Sequence, residues 1–287
     1  MTQLGHKRSK SNTSEWVAGI APEIHPGDAD VLSILLGRVM RPEVVVVEVG
    51  SWVGNGSTRV IAQAIRPAGG RLYCVDTWEG SDNVPHHQDF RLRYPSMFPI
   101  FAENVRQYGG EVVIRPLILP SLSASALFPD GSVDLVFIDG NHGYTNVKRD
   151  LGAWLPKVKP GGILCGHDCD ASYRHLDARL KVEIVSRRED DVYTNVNFPG
   201  PPLFHAGVVT AVYEQFGRRA KLWCHSKPST VWSVDIRMSP LKLMKSWFAS
   251  EKGVTPEGRR GLPPAEWPEL RIECDRAPST TLAKPAA

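Results

Sequence analysis

The amino-acid sequence predicts a doubly wound α/β fold, in which helices cover both faces of a mostly parallel sheet. Apolar runs of strand length alternate along the 287 residues with segments of helical periodicity, which is the pattern of consecutive βα units. The first apolar run contains four consecutive valines at 44–47, as expected for a strand buried on both faces. Glycine pairs at 69–70 and 161–162 mark the starts of two later strands.

The predicted elements follow one another in a regular order. A helix at 28–40 carries an apolar stripe that includes Val31, Leu35 and Val39. Strands are placed at 44–48, 71–76, 112–119, 133–138 and 163–166, helices at 57–65, 146–155 and 207–216, and a closing hairpin at 221–224 with 231–236. We expect a disordered tail at 1–14, one domain at 15–240, and a proline-rich, helical or irregular tail at 241–287.

The composition restricts the class of protein. A hydrophobic content of 42% and a charged content of 23% are ordinary for a soluble globular chain, and a net charge of +3 gives no argument for nucleic-acid binding. No apolar run approaches the length that spans a bilayer, and the N-terminus lacks the apolar core of a signal peptide. Five cysteines without a C-x-x-C pair do not form a disulfide framework. We therefore expect a cytoplasmic protein that acts neither on membranes nor on nucleic acid.

A glycine-rich loop follows the first predicted strand. Glu48 is followed by Gly50, Gly54 and Gly56, with the spacing G-x-x-x-G-x-G, and then by a serine and a threonine where a helix can begin. Such glycines allow a sharp turn and let a ligand approach the main chain, and the amides that begin the next helix favour a negative group. The spacing differs from that of nicotinamide dinucleotide binders and of phosphate loops. A glycine-rich turn without a ligand is the alternative interpretation.

This arrangement of an acid, one residue and G-x-x-x-G-x-G resembles the first motif of the class I S-adenosylmethionine-dependent methyltransferases. The resemblance implies a Rossmann-like sheet, and an antiparallel closing strand would be consistent with it. It also implies that Gly50, Gly54 and Gly56 cradle the methionine part of S-adenosylmethionine (SAM), and that Glu48 lies beside the cofactor.

An acid ends the second predicted strand. Asp76 lies twenty residues after Gly56, where a carboxylate can accept hydrogen bonds from both ribose hydroxyls of an adenosine. Its alternative role is that of a helix cap or an exposed loop acid. The methyltransferase resemblance implies adenine contacts for Trp78 and Ser121, although a core tryptophan and a turn serine are equally compatible with the sequence.

Further acids end the fourth and fifth predicted strands. Asp139 follows the fourth strand, and His167 and Asp168 follow the fifth. Neighbouring strands run about 5 Å apart, so two unpaired carboxylates there would repel unless a cation lay between them. Oxygen ligands favour Mg²⁺ or Mn²⁺, and coordination by His167 would favour a softer metal. Alternatively, Asp139 contacts only the cofactor amine and Asp168 caps the following turn.

The spacing Asp139-x-x-His142 places an imidazole just beyond the first acid. It resembles the metal-dependent O-methyltransferases of small molecules, in which the strand-four acid binds the metal and the residue three positions later is the base. The segments IDGNH and GHD resemble a bacterial branch of that family. The chain departs from the family's strand-five pair, which is Asp-Asn or Glu-Asp, so only Asp168 carries over cleanly. Alternatively, His142 is a loop histidine that donates to a backbone carbonyl.

Two loops are candidates for substrate recognition and for a lid. The segment between Trp78 and Tyr108 is polar and aromatic, and the segment 193–205 is rich in proline. Surface loops or a contact within a homo-oligomer are the alternatives. The first segment carries two adjacent histidines, two arginines and a tyrosine, which are His86, His87, Arg91, Arg93 and Tyr94.

Taken together with the methyltransferase resemblance, these patterns imply methyl transfer from SAM to a small-molecule acceptor, at a hydroxyl oxygen. A divalent cation held by Asp139 and Asp168, with His167 as a further candidate ligand, would stabilise the developing oxyanion, and His142 would take the proton. The alternatives are a non-catalytic module that binds an adenosine cofactor and a nicotinamide-dependent oxidoreductase, which the glycine spacing disfavours.

Overall fold

The computed structural model describes residues 24–80, 92, 94, 96–176, 178–186, 192–194, 203–224, 229–237 and 273–274. Its centre is one eight-stranded sheet, and a separate two-stranded hairpin lies outside it. In chain order the strands are β1 (Val45–Val49), β2 (Arg71–Asp76), β3 (Ile114–Ile118), β4 (Val133–Ile138), β5 (Val158–Gly166), β6 (Val192–Thr194), β7 (Leu203–His205), β8 (Lys221–Cys224), β9 (Trp232–Asp235) and β10 (Glu273–Cys274).

Helices connect most of these strands. In chain order they are α1 (Pro26–Val39), α2 (Ser57–Ile65), α3 (Phe98–Gln107), α4 (Ser121–Ser125), α5 (Tyr144–Trp154), α6 (Ala178–Ser186) and α7 (Ala206–Phe216). No helix within the described ranges combines the length and the apolar composition needed to cross a membrane.

The sheet has the order β10-β8-β9-β5-β4-β1-β2-β3. Strands β1 to β5 are parallel, and β9 pairs antiparallel with both β5 and β8. The chain therefore begins at the centre, runs outward through β2 and β3, and returns to β4 on the other side of β1. This topology confirms the predicted doubly wound fold and its closing antiparallel hairpin. Its switch point lies between β1 and β4, where open α/β sheets bind ligands.

Apolar side chains cover both faces of the sheet. On one face, Leu36 of α1, Ile61 of α2 and Phe101 of α3 belong to one buried cluster. On the other face, Trp154 of α5 and Val209 of α7 belong to a second cluster. Burial on both faces explains why β1 and β4 are continuous apolar runs rather than alternating ones.

Several predicted elements coincide with the observed ones. The predictions at 57–65, 71–76 and 133–138 match α2, β2 and β4 residue for residue. β3 is shorter than predicted because a 3₁₀ turn occupies Gly110–Val112, and β5 begins earlier than predicted because Val158 already pairs with Val133.

Three segments differ from the prediction. Helix α3 lies within the segment between Trp78 and Tyr108, which was assigned to a loop, whereas 81–91, 93 and 95 are outside the described residues. The ends of the predicted proline-rich loop at 193–205 pair with each other as the β6–β7 hairpin. Within the predicted C-terminal tail, Glu273–Cys274 forms strand β10 beside β8.

Candidate functional site

The glycine loop after β1 packs tightly against two neighbouring elements. Gly50 has φ +88°, and an added Cβ would collide with the carbonyl oxygen of Asp139 after β4. Gly54 has φ +74°, and an added Cβ would lie 2.7 Å from the ring of Phe101 in α3. Gly56 caps the start of α2. The absence of a side chain at Gly50 and Gly54 thus permits internal packing, and their contact with a cofactor stays a prediction.

Glu48 holds this loop from beneath. Its carboxylate is 0% exposed and accepts hydrogen bonds from the hydroxyls of Ser51 at 2.7 Å, Ser57 at 2.6 Å and Thr58 at 2.6 Å. Burial raises the pKa of Glu48 to about 7, although the three hydroxyls act in the opposite direction. This enclosed position differs from the predicted contact with the cofactor, because hydroxyl groups of the loop and of the start of α2 already occupy the carboxylate oxygens.

Asp76 joins the same loop to the end of β2. Its Oδ2 accepts hydrogen bonds from the amides of Ser51 at 3.0 Å and Trp52 at 2.8 Å, and its Oδ1 accepts one from the amide of Trp78 at 2.7 Å. Burial raises the pKa of Asp76 despite these donors. The side chain remains partly accessible. Its bond with the ribose stays a prediction.

Trp78 is a core residue. Its side chain is 0% exposed, its indole nitrogen donates to the carbonyl of Trp52 at 2.7 Å, and its ring packs against Phe98 and Phe101 of α3. This placement corrects the predicted adenine contact, because both the polar atom and the ring already have protein partners.

Ser121 begins α4, and the indole of Trp154 donates to its Oγ at 2.9 Å. Ser121 also bonds the buried carboxyl of Asp150, whose pKa burial raises to about 6. Ser121 is partly exposed, so an adenine contact stays a prediction for this residue.

The carboxyl ends of β4 and β5 bring four predicted residues together. Ile138 and Gly166 are paired at the strand ends, so Asp139 and His167 follow side by side. The Nδ1 of His167 lies 2.9 Å from Asp168 Oδ1 and 3.7 Å from Asp139 Oδ1. The Nε2 of His142 lies 3.2 Å from Asp168 Oδ2 and 3.5 Å from Asp139 Oδ1. The predicted convergence of these side chains is therefore observed, whereas their chemical roles stay predictions.

Asp168 lies at the centre of this cluster in a constrained backbone conformation. Its φ is +60°, which is uncommon for a residue other than glycine. The amide of Asp168 donates to Thr230 Oγ1 at 3.2 Å, and the next amide, of Cys169, donates to the carbonyl of Thr230 at 3.0 Å. Strained residues of this kind persist where surrounding contacts hold them, and they concentrate at functional sites.

Two pairs of a carboxylate and an imidazole flank Asp168. On one side, Asp28 Oδ2 lies 3.1 Å from the Nε2 of His167. On the other side, Asp170 Oδ2 lies 3.0 Å from the Nδ1 of His205, and Asp170 Oδ1 accepts the backbone amide of His205 at 3.0 Å. The ring of His205 meets that of His142 edge-on, with centroids 4.9 Å apart. Sequence reasoning did not select Asp28, Asp170 or His205; His205 was noted only as the end of a proline-rich loop.

The carboxylates determine the charge of the cluster. Burial lowers the pKa of His167, but Asp139, Asp168 and Asp28 together raise it to about 11. Burial raises the pKa of Asp168, and the bond with His167 reverses this, so the net pKa lies well below its usual value. The pKa of His205 is raised because its bond with Asp170 outweighs burial. An imidazolium at His167 therefore neutralises part of the negative charge around it.

The same side chains fit a divalent cation. Asp139, His167 and Asp168 each offer one ligand atom within 4.8 Å of the others, and His142, Asp168 and His205 form a second such group. Two carboxylates and an imidazole are a donor set used for Mn²⁺ and for other first-row metals. Metal-bound histidines commonly donate their second ring N–H to a carboxylate, and Asp28 is in that position for His167.

The fold and this site share their main features with one class of protein. A doubly wound sheet with an antiparallel last strand, a glycine loop after β1 and acids at the ends of β2 and β4 are the features of the class I, Rossmann-like methyltransferases that the sequence resembles. Residues 47–169 match a family model described as a methyltransferase domain. The match includes the glycine loop, Asp76, Asp139, His142 and Asp168, and it confirms the resemblance.

Individual relatives are distant. An uncharacterized protein of Sinorhizobium fredii is 29% identical over 98 residues, which are 34% of this chain and 10% of that protein. The matched stretch thus spans about a tenth of this curated relative's length. A candidate O-methyltransferase of Klebsiella pneumoniae is 17% identical, with a TM-score of 0.49, over 79% of this chain and 87% of that chain. The O-methyltransferase of Bacillus cereus, in complex with S-adenosylhomocysteine, is 17% identical, with a TM-score of 0.46, over 80% of this chain and 93% of that chain.

Proposed function

We propose that this protein transfers the methyl group of SAM to a hydroxyl oxygen of a small molecule, with help from a divalent cation and from His142. The observation that carries the proposal is the contact between the two halves of the site. The backbone at Gly50, in the loop proposed to hold the cofactor, packs directly on the carbonyl of Asp139, in the cluster proposed to hold the acceptor. A methyl donor in the first half would therefore lie beside the acids and imidazoles of the second.

The glycine loop and Asp76 would hold the cofactor. The loop is fixed by Glu48 from below and by Asp76 from the side, so its shape is set before any ligand arrives. Pre-organisation of this kind lowers the entropic cost of binding. The main-chain surface at Gly54 and Gly56 would face the methionine part of SAM, and Asp76 would accept from the ribose hydroxyls.

The residues Asp139, His167 and Asp168 would hold the cation. A bound Mg²⁺ or Mn²⁺ would stabilise the negative charge that develops on the acceptor oxygen. The three side chains come from the ends of two paired strands, so the sheet itself fixes their separation. The contact between Asp28 and His167 supports this assignment, because it orients the ring toward the two acids.

His142 would take the proton of the acceptor hydroxyl. SAM would supply an activated methyl group. The acceptor oxygen would form its bond to the methyl carbon as the carbon–sulfur bond breaks, with that electron pair remaining on sulfur, and the hydroxyl proton would move to the imidazole of His142. Asp168 Oδ2, 3.2 Å from His142 Nε2, would orient the ring and stabilise its protonated form.

Titration calorimetry tests the cofactor part of the proposal. We expect S-adenosylhomocysteine (SAH) to bind, and NAD and ATP to bind far more weakly, with and without Mg²⁺. An NAD affinity comparable to the SAH affinity would instead favour the alternative function, that of a nicotinamide-dependent oxidoreductase. Turnover with SAM is then measured on phenol, catechol and sugar hydroxyl acceptors, in excess chelator and after addition of Mg²⁺ or Mn²⁺. SAH binding without turnover on any acceptor would favour the non-catalytic module, and full activity in chelator would remove the cation from the mechanism.

A further inference from the structure

We infer that Asp28 is a positioning residue of the cation site, which sets the orientation of His167 directly and that of Asp168 through Thr230. The inference rests on the proposed function, because it concerns the same cation. It adds an element that the family model does not cover, since that model begins at residue 47 and Asp28 lies in the first turn of α1.

The carboxylate of Asp28 is buried, and its two oxygens contact different parts of the site. Its Oδ1 accepts from the amide of Thr230 at 2.7 Å and from the hydroxyl of Ser229 at 2.8 Å. Its Oδ2 lies 3.1 Å from the Nε2 of His167. Burying a carboxylate is costly unless its charge is compensated, and here Oδ1 accepts two hydrogen bonds while Oδ2 lies at ion-pair distance from the imidazole of His167.

The Oδ2 contact decides which nitrogen of His167 can bind a metal. A carboxylate only accepts hydrogen bonds, so it requires a proton on Nε2. In the neutral ring that serves as a metal ligand, this leaves the lone pair on Nδ1, which faces Asp168 at 2.9 Å and Asp139 at 3.7 Å. Asp28 therefore selects the tautomer whose free nitrogen points at the other two ligands.

The Oδ1 contacts act on the second ligand. By holding the amide of Thr230, Asp28 fixes the residue whose hydroxyl and carbonyl accept the amides of Asp168 and Cys169. Those two bonds lie at the point where Asp168 adopts its positive φ. One side chain of α1 thus supports two of the three proposed ligands.

The substitution Asp28→Asn separates these effects. An asparagine has one acceptor oxygen and one donor group at the two positions. The oxygen is expected to face Thr230 and Ser229, where two donors converge, so the amide N–H group is turned toward the Nε2 of His167. That arrangement favours the opposite tautomer, with the proton on Nδ1. We expect Mn²⁺ affinity, measured by electron paramagnetic resonance of the free ion, to fall roughly 10–100-fold. SAH affinity and the midpoint of thermal unfolding should change little.

Ser229→Ala is the matched control, because it removes the other side-chain partner of Asp28 and leaves the contact with His167 intact. We expect its Mn²⁺ affinity to stay within about twofold of the wild type. Equal Mn²⁺ affinity in the wild type and Asp28→Asn would overturn the inference alone. Equal losses in both variants, with SAH affinity falling as well, would reduce Asp28 to a structural residue. A wild type that binds SAH but no Mn²⁺ would overturn the inference together with the cation part of the proposed function.

A measurement on the wild type covers the case in which Asp28→Asn does not fold. In the Mg²⁺-loaded protein, the imidazole ¹⁵N spectrum should show His167 with a protonated Nε2 and an unprotonated Nδ1, assigned by its loss in His167→Gln. A proton on Nδ1 in the loaded protein would overturn the inference.

Discussion

The carboxylates at the ends of β1 and β2 are used differently from those at the ends of β4 and β5. Glu48 and Asp76 each accept three hydrogen bonds from hydroxyls or amides of the glycine loop and its surroundings. The side chains of Asp139 and Asp168 are 21% and 12% exposed, and imidazoles are their neighbours. All four are acids at the carboxyl edge of the parallel strands of one sheet.

The difference lies in what the partners can do. Hydroxyl and amide donors of the chain itself remain bound, so a carboxylate that they surround fixes the backbone. An imidazole can give up its proton, and the space beside it can accept a cation or a substrate oxygen. We therefore expect the first region to determine whether the site forms and the second to determine what it does.

The largest expected effect belongs to the second region. His142→Ala should lower turnover by about 10²–10⁴-fold, as is typical for the loss of a general base, while SAH affinity changes little. Turnover on an acidic phenol should fall less than turnover on an aliphatic alcohol, because the phenol gives up its proton more readily and depends less on the base. Steady-state kinetics on both acceptors measures this. The control His25→Ala changes an exposed histidine at the start of α1 and should retain full turnover. A loss below about tenfold on the alcohol would make His142 a structural residue.

An intermediate effect is expected in the first region. Ser57→Ala removes one of the three donors to the buried Glu48, and a hydrogen bond to a charged group contributes about 1.5–3 kcal/mol. Urea unfolding above the pKa of about 7 of Glu48, where its carboxylate is charged, should show a loss of stability of that size, together with weaker SAH binding. Ser33→Ala, which removes an exposed hydroxyl of α1, should change stability by less than about 0.5 kcal/mol. If the two variants were equally stable, the loop would not depend on Glu48.

The smallest expected effect is the change in apparent Mn²⁺ affinity for each unit of pH. The pKa of His167 is raised to about 11 in the absence of a cation, so the ring is protonated at neutral pH and an ion that binds its Nδ1 must displace that proton. Below this pKa, apparent Mn²⁺ affinity should rise with pH, by about tenfold per unit for one released proton. Titrations between about pH 6 and pH 9 test this. His167→Gln should flatten the slope, and a flat wild-type profile would exclude His167 as a ligand.

The sequence was most informative where local signals coincide. The bounds of β2, β4 and α2 were predicted correctly because glycines, polar residues and a change of hydrophobic period coincide at their ends. Helix α3 was missed because the polar and aromatic residues between Trp78 and Tyr108 were interpreted as one loop. Its buried Ile100, Phe101, Asn104 and Val105 nevertheless recur with helical spacing.

The site was predictable to the extent that strand ends define it. Asp139, His167 and Asp168 follow two strands that pair, so their convergence could be inferred from the topology alone. The contacts of Asp28 could not be, since Thr230 lies 202 residues away, and the pairing of Asp170 with His205 spans 35 residues. Such partners are fixed by the docking of whole elements, which no local pattern encodes. The enclosure of Glu48 was also missed, because the sequence does not show toward which side of the loop the carboxylate points.

The bond between Asp28 and Thr230 has a consequence for the order in which the molecule is assembled. Among the described elements α1 is synthesised first, yet the Oδ1 atom of Asp28 finds its two donors only after the segment before β9 has been made. Contacts between residues so distant in the chain incur the full entropy of loop closure and form late in folding. A nascent chain that stops before residue 229 would therefore have the central strands but not the backbone support at Asp168. The cluster of acids and imidazoles would thus be among the last parts of the domain to reach its final geometry.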